Sequence, residues 1–146
     1  MRRMSLGVCL GVVLGLMLSN VMRPAEVQGQ NEKKAKQRVY EARTYTAPPG
    51  KLADLNARFR NHTLKLFEKH GIKNIIYLTP TEAPQSENTL VYLIAHDSKE
   101  QAVKSWDAFK KDPEWLAAAK KSEENGKLVS GVKSEYFVAT DYSPIK

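Results

Sequence analysis

Thr89-Leu90-Val91-Tyr92-Leu93-Ile94-Ala95-His96 is the most apolar stretch of the chain beyond its first thirty residues. Alternation puts Leu90, Tyr92, Ile94 and His96 on one side and Thr89, Val91, Leu93 and Ala95 on the other. Both sides are largely apolar, so this segment reads as a central strand buried on both faces.

Before it, Val39 to Thr46 is rich in Val, Tyr and Thr and fits a strand, stopped by Pro48-Pro49-Gly50. A helix is expected from about Lys51 to His70, closed by Gly71 in the left-handed conformation. Leu52, Leu55, Phe59, Thr63 and Leu66 form its apolar stripe, with Phe67 at the edge and Arg58, Arg60, Asn61 and Lys65 opposite. Ile72 to Thr79 is a β-branched run ended by Pro80, and residues 81–88 form a polar loop.

After the central strand, Ser98 and Gln101 have capping-box spacing. Ala102, Val103, Trp106 and Phe109 are expected to be buried. Asp112-Pro113 breaks the helix and restarts it: Asp112 can accept from free N–H groups, and Pro suits the first helical position. Trp115, Leu116 and Ala119 should then pack inward, and Asn125-Gly126 ends the piece. The last strand covers about Leu128 to Thr140, with Gly131 a candidate bulge. Residues 141–146 are a tail.

The order is β-α-β-β-α-β, an α+β ferredoxin-like pattern: a four-stranded antiparallel sheet with both helices on one face. About a hundred residues leave nothing to cover the other face. A second copy of the chain is the simplest cover, so a homodimer joined through sheet faces is expected.

The chain has 146 residues, one domain's worth after a targeting segment. Met1-Arg2-Arg3-Met4 is basic, Ser5 to Leu18 is apolar, and Val27-Gln28-Gly29 offers a cleavage site. Residues 1–29 are read as a signal peptide, or as an uncleaved anchor, since Leu6 to Met22 is of marginal spanning length. Residues 30–37 read as a flexible leader and 38–146 as the domain. Export, periplasmic or secreted, follows in either case, with membrane attachment if the segment is retained. Cys9 is the only cysteine, so the domain has no disulfide, cysteine nucleophile or thiolate metal site.

The net charge is +7, and losing Arg2, Arg3, Arg23 and Glu26 leaves +5. The basic pairs Lys110-Lys111 and Lys120-Lys121 fall on polar helix faces without interleaved exposed aromatics, so no nucleic-acid partner is expected. No Gly-rich phosphate loop, nucleophile elbow or nucleotide fingerprint occurs, and no histidine pair has metal-ligand spacing.

Tyr40-Glu41-Ala42-Arg43-Thr44-Tyr45 with Pro49-Gly50-Lys51, His62-Thr63 with Phe67 to Gly71, and Ser105-Trp106-Asp107-Ala108-Phe109 with Asp112-Pro113-Glu114-Trp115 together resemble the NIPSNAP family. Ala42 departs from the family's usual Leu. The resemblance spans about Val39 to Lys146 and implies the dimeric α/β-barrel superfamily, with a pocket between helices and sheet. It does not imply a reaction, because superfamily members include cofactor-free monooxygenases and haem-handling enzymes.

His62, between Phe59 and Leu66, is expected to face the sheet. It is a candidate acid or base, a candidate haem ligand, or a core histidine. His70 suits a helix C-terminus, and His96 is assigned to the turn before Asp97. Glu41 and Arg43 share a strand face, either as an ion pair or with Arg43 capturing an anion. Arg43, Tyr45, His62, Tyr77 and Trp106 are the candidate pocket. The expected role is binding of a small apolar or aromatic ligand, or an interaction module, without a cofactor. The alternatives are a cofactor-independent monooxygenase or isomerase-type enzyme, or a haem protein, each using His62.

Overall fold

The computed structural model describes residues 38–145; the expected signal segment and leader lie outside them. Strands β1 (Val39–Thr46), β2 (Lys73–Leu78), β3 (Thr89–His96) and β4 (Gly131–Val138) form one antiparallel sheet in the order β2-β3-β1-β4. That is the expected ferredoxin-like topology, with β1 and β3 central. β1 and β3 keep the bounds that their alternation predicts. Gly131 starts β4 opposite Thr46 in unbroken register and is not a bulge. The irregularity falls instead between Asn74 and Ile76 of β2.

The first helical segment is three pieces: α1 (Leu52–Arg58), a π-turn (Phe59–Thr63) and α2 (Leu64–Lys69). The Leu64 N–H bonds to the Phe59 carbonyl, the five-residue reach of a π-turn. Gly71, at φ +72°, closes α2 as expected: Ile72 N–H bonds Phe67 O at 2.8 Å and Gly71 N–H bonds Glu68 O at 3.0 Å. The loop before β3 contains one helical turn, α3 (Gln85–Asn88).

Ser98 caps α4 (Lys99–Lys111) by accepting from Gln101 N–H. The Gln101 side chain turns to Ser105 instead, so only half of the capping box forms. Asp112 then caps α5 (Pro113–Ser122), accepting from the Glu114 and Trp115 N–H groups. The break orients α5 differently from the sequence expectation. Leu116 and Val103 are exposed, and Ala118 and Ser105 take the buried places.

Glu41, Arg43 and Tyr45 share the helix-covered face with Leu90, Tyr92, Ile94 and His96. Tyr92 is fully buried at the centre of an aromatic cluster, with the Tyr45, Phe59 and Tyr77 rings 5.2–5.3 Å away. Such edge and stacked pairs stabilise by about 0.5–1.5 kcal/mol each beyond area burial. On the opposite face Ile76, Leu78 and Phe137 are exposed beside half-buried Val91 and Leu93. The tail turns back over part of that face, where Ser143 to Ile145 share a recess with Tyr40 and Leu93. Among the described residues no helix is long and apolar enough to cross a membrane.

Candidate functional site

Glu41 is a buried carboxylate on β1, 1% exposed, with hydrogen-bond donors on both of its oxygens. Its carboxylate accepts from Trp106 Nε1 at 2.7 Å, Ser134 Oγ at 2.6 Å, His96 Nε2 at 3.1 Å and Arg43 Nη1 at 2.5 Å. Burial alone would raise its pKa, but these four donors together win and hold it down at about 2. The carboxylate is therefore charged and locked at neutral pH.

Arg43 lies over the Trp106 ring at 4.5 Å and donates from Nη2 to Tyr45 Oη at 3.2 Å. Of the five expected pocket residues, Arg43, Tyr45 and Trp106 therefore meet. Tyr77 does not join them. It stacks on Tyr92 within the core and donates to Asn74. Burial pushes the Tyr77 and Tyr92 hydroxyls up, so neither serves as a base near neutral pH.

His62 corrects the sequence reading most sharply. A regular α-helix would keep it beside Phe59 and Leu66, but the wider π-turn rotates it outward, where it is exposed. It lines a polar groove with Asp54, Asn61, Lys121 and Asn125. Such a polar, open groove does not fit a porphyrin, which needs an apolar slot around its axial histidine. His96, assigned to the turn, is instead fully buried on Glu41, with Nδ1 lacking a partner. His70 does sit at the C-terminus of α2, and its Nε2 lies 2.6 Å from Asp112 Oδ2. That contact ties α2 to the cap of α5. Lys69 and His70 beside it hold the Asp112 carboxyl well below the usual carboxylate range. Among the described residues no three of His, Cys, Asp or Glu converge on a point where a metal ion could sit.

Two recesses lie side by side between the helices and the β1–β4 half of the sheet. One, about 390 Å³, is charged, with Glu41, Arg43, Asp107, Lys110 and Ser134 in its lining beside Trp106 and Tyr136. The other, about 280 Å³, is apolar, walled by Tyr45, Phe59, Phe67, Phe109, Trp115, Val129 and Val132. Arg58 and Glu123 are the charged groups at its margin. Arg58, expected on the solvent face, is buried because α5 packs over that flank of α1, and its Nη1 meets Glu123 Oε1 at 2.9 Å. No sequence signal marks this pair, whose members stand 65 positions apart.

The NIPSNAP family model matches residues 40–144. Among solved structures, a NIPSNAP-like domain protein from Burkholderia xenovorans is 17% identical with a TM-score of 0.64, over 75% of this chain and 90% of that one. A NIPSNAP family protein from Agrobacterium tumefaciens is 17% identical with a TM-score of 0.65, over 75% and 99%. A mutant of SnoaB, a cofactor-independent oxygenase from Streptomyces nogalater, is 16% identical with a TM-score of 0.50, over 74% and 98%. At these identities the likeness is one of fold. No curated protein matches the chain.

Proposed function

The chain belongs to the NIPSNAP family, and from that premise we propose that it binds a small apolar or aromatic molecule in the apolar helix–sheet recess, as an exported homodimer. The observation that carries this reading is the contrast between the two recesses. In the charged one, the Glu41 carboxylate is already saturated by internal donors. The neighbouring 280 Å³ space is walled by rings and branched aliphatic side chains with few polar groups. It is at the small end of ligand pockets and suits a molecule of one or two rings. The oxygenase and haem alternatives relied on His62, which lines neither recess.

The homodimer reading is supported by exposed Ile76, Leu78 and Phe137 on the sheet face opposite the helices. Exposed apolar surface of that kind is stabilised by association. The export reading rests on the basic, then apolar, order of residues 1–18.

Naphthalene-2-carboxamide, a neutral two-ring probe, tests the recess. It should alter the tryptophan fluorescence, since Trp115 lines the wall, and Ala119→Phe should abolish the effect by filling the space. Binding unchanged in Ala119→Phe would move the ligand elsewhere and refute the reading. Light scattering tests the assembly: a monomer mass at micromolar concentration would overturn the homodimer.

A further inference from the structure

Arg58 places a buried cation at the margin of the apolar recess. Its side chain is 5% exposed, lies 5.3 Å from the Trp115 ring centre, and borders the apolar recess. Its Nε has no partner, and Nη1 is held by Glu123 at 2.9 Å and Ser122 Oγ at 3.4 Å. We infer that the recess takes an aromatic carboxylate, whose anionic end meets Arg58 by displacing the Glu123 side chain. This rests on the recess reading above and adds the ligand's charge to it.

Comparison with the Arg43–Glu41 pair shows why this one can open. Glu41 is buried and bound by four donors, so it cannot leave Arg43. Glu123 is 37% exposed, and Arg58 is its partner in the structure. It is also the C-terminal capping residue of α5, where the helix dipole disfavours an anion. Glu123 can therefore swing into water at little cost. A ligand carboxylate arriving from the recess side would replace it and offer the guanidinium a second oxygen, in the bidentate geometry that arginine favours. Glu123 is then an internal competitor that keeps the buried cation compensated when no ligand is bound.

The test compares naphthalene-2-carboxylate with naphthalene-2-carboxamide on the full chain. The wild type should bind the carboxylate more tightly than the amide. Glu123→Gln, which removes the competitor's charge, should tighten the carboxylate about tenfold or more and leave the amide unchanged. Glu124→Gln makes the same charge change one residue away, in an exposed pair with Lys121, and should alter neither. Arg58→Gln should erase the preference; if it fails to fold, Glu123→Gln still decides.

Equal affinity for the two probes in both the wild type and Glu123→Gln overturns the inference and leaves the recess reading standing. An equal gain in Glu124→Gln would trace the effect to net charge, and also overturns it. Binding of neither probe overturns both readings.

Discussion

Replacing Glu41 by Gln removes the charge on which four donors converge while keeping the side chain's size. Holding this carboxyl at about 2, against an ordinary value of 4.5, corresponds to roughly 3 kcal/mol of folding stability at neutral pH. Water in the adjoining charged recess screens part of this, so a loss of roughly 2–3 kcal/mol is expected. Breaking one side of a buried ion pair costs a similar amount, about 3–5 kcal/mol, and Gln retains an oxygen to accept some of the bonds. The sign follows from the lowered native pKa. Glu41's contribution is complete above about pH 4.5 and is lost as pH falls from there toward 2. Urea unfolding of the wild type and Glu41→Gln at a series of pH values reads both quantities. The gap between them should be largest near pH 6 and should close as pH approaches 2. A gap under about 1 kcal/mol at pH 6, or one that stays constant down to pH 2.5, would mean that the Glu41 charge does not hold the fold together.

His62→Ala should change stability by no more than about 0.5 kcal/mol and leave probe binding intact, as for an exposed side chain; lost binding in a titration would return His62 to the site. Leu55→Ala, at a fully buried position, should cost about 2–5 kcal/mol by urea unfolding, whereas Leu116→Ala, on the outer side of α5, should cost under about 0.5 kcal/mol. Comparable losses for the two would mean that α5 packs with the other face inward.

What was legible in the sequence was local. Val39 to Thr46 and Thr89 to His96 match their strands residue for residue, because alternation, β-branched residues and flanking breakers all agree there. The Asp112-Pro113 restart was equally plain, since capping chemistry depends on residues only two or three apart. The Glu41 hub was half legible. Strand parity already put His96 on the side of Tyr92 and Ile94, yet its place beside Asp97 suggested a turn. Trp106 and Ser134 come from other elements, 65 and 93 positions from Glu41, and only the folded sheet brings them to it. The same separation hid Arg58 and Glu123. Exposure of Val103 and Leu116 was illegible for a related reason: which flank of a helix is covered depends on its neighbour.

The π-turn is a local feature that no motif marks, and the spacing of buried residues explains why it exists. Leu55, Phe59, Thr63 and Phe67 are all buried at intervals of four. At about 100° per residue each such step drifts by about 40°, so a continuous α-helix would carry Phe67 about 120° from Leu55. The extra residue accommodated by the π-turn brings Phe67 back to the core face, where its ring lies 6.2 Å from Tyr92 of β3 and packs on Phe109 at 4.9 Å and Trp106 at 5.3 Å, both of α4. It also sends His62 outward. Deleting exposed Asn61 should therefore convert the π-turn to α-helix, since the shortened run keeps Leu55, Phe59 and the shifted phenylalanine on one face. That variant should fold cooperatively, with near-ultraviolet circular dichroism close to the wild type's. Deleting exposed Lys104 from the regular helix α4 offers the contrast, because it swings Trp106 and Phe109 about 100° away from Ala102. The second deletion should lose cooperative folding. If both deletions were equally damaging, the π-turn would not be a register correction, and the rotation of His62 would need another cause.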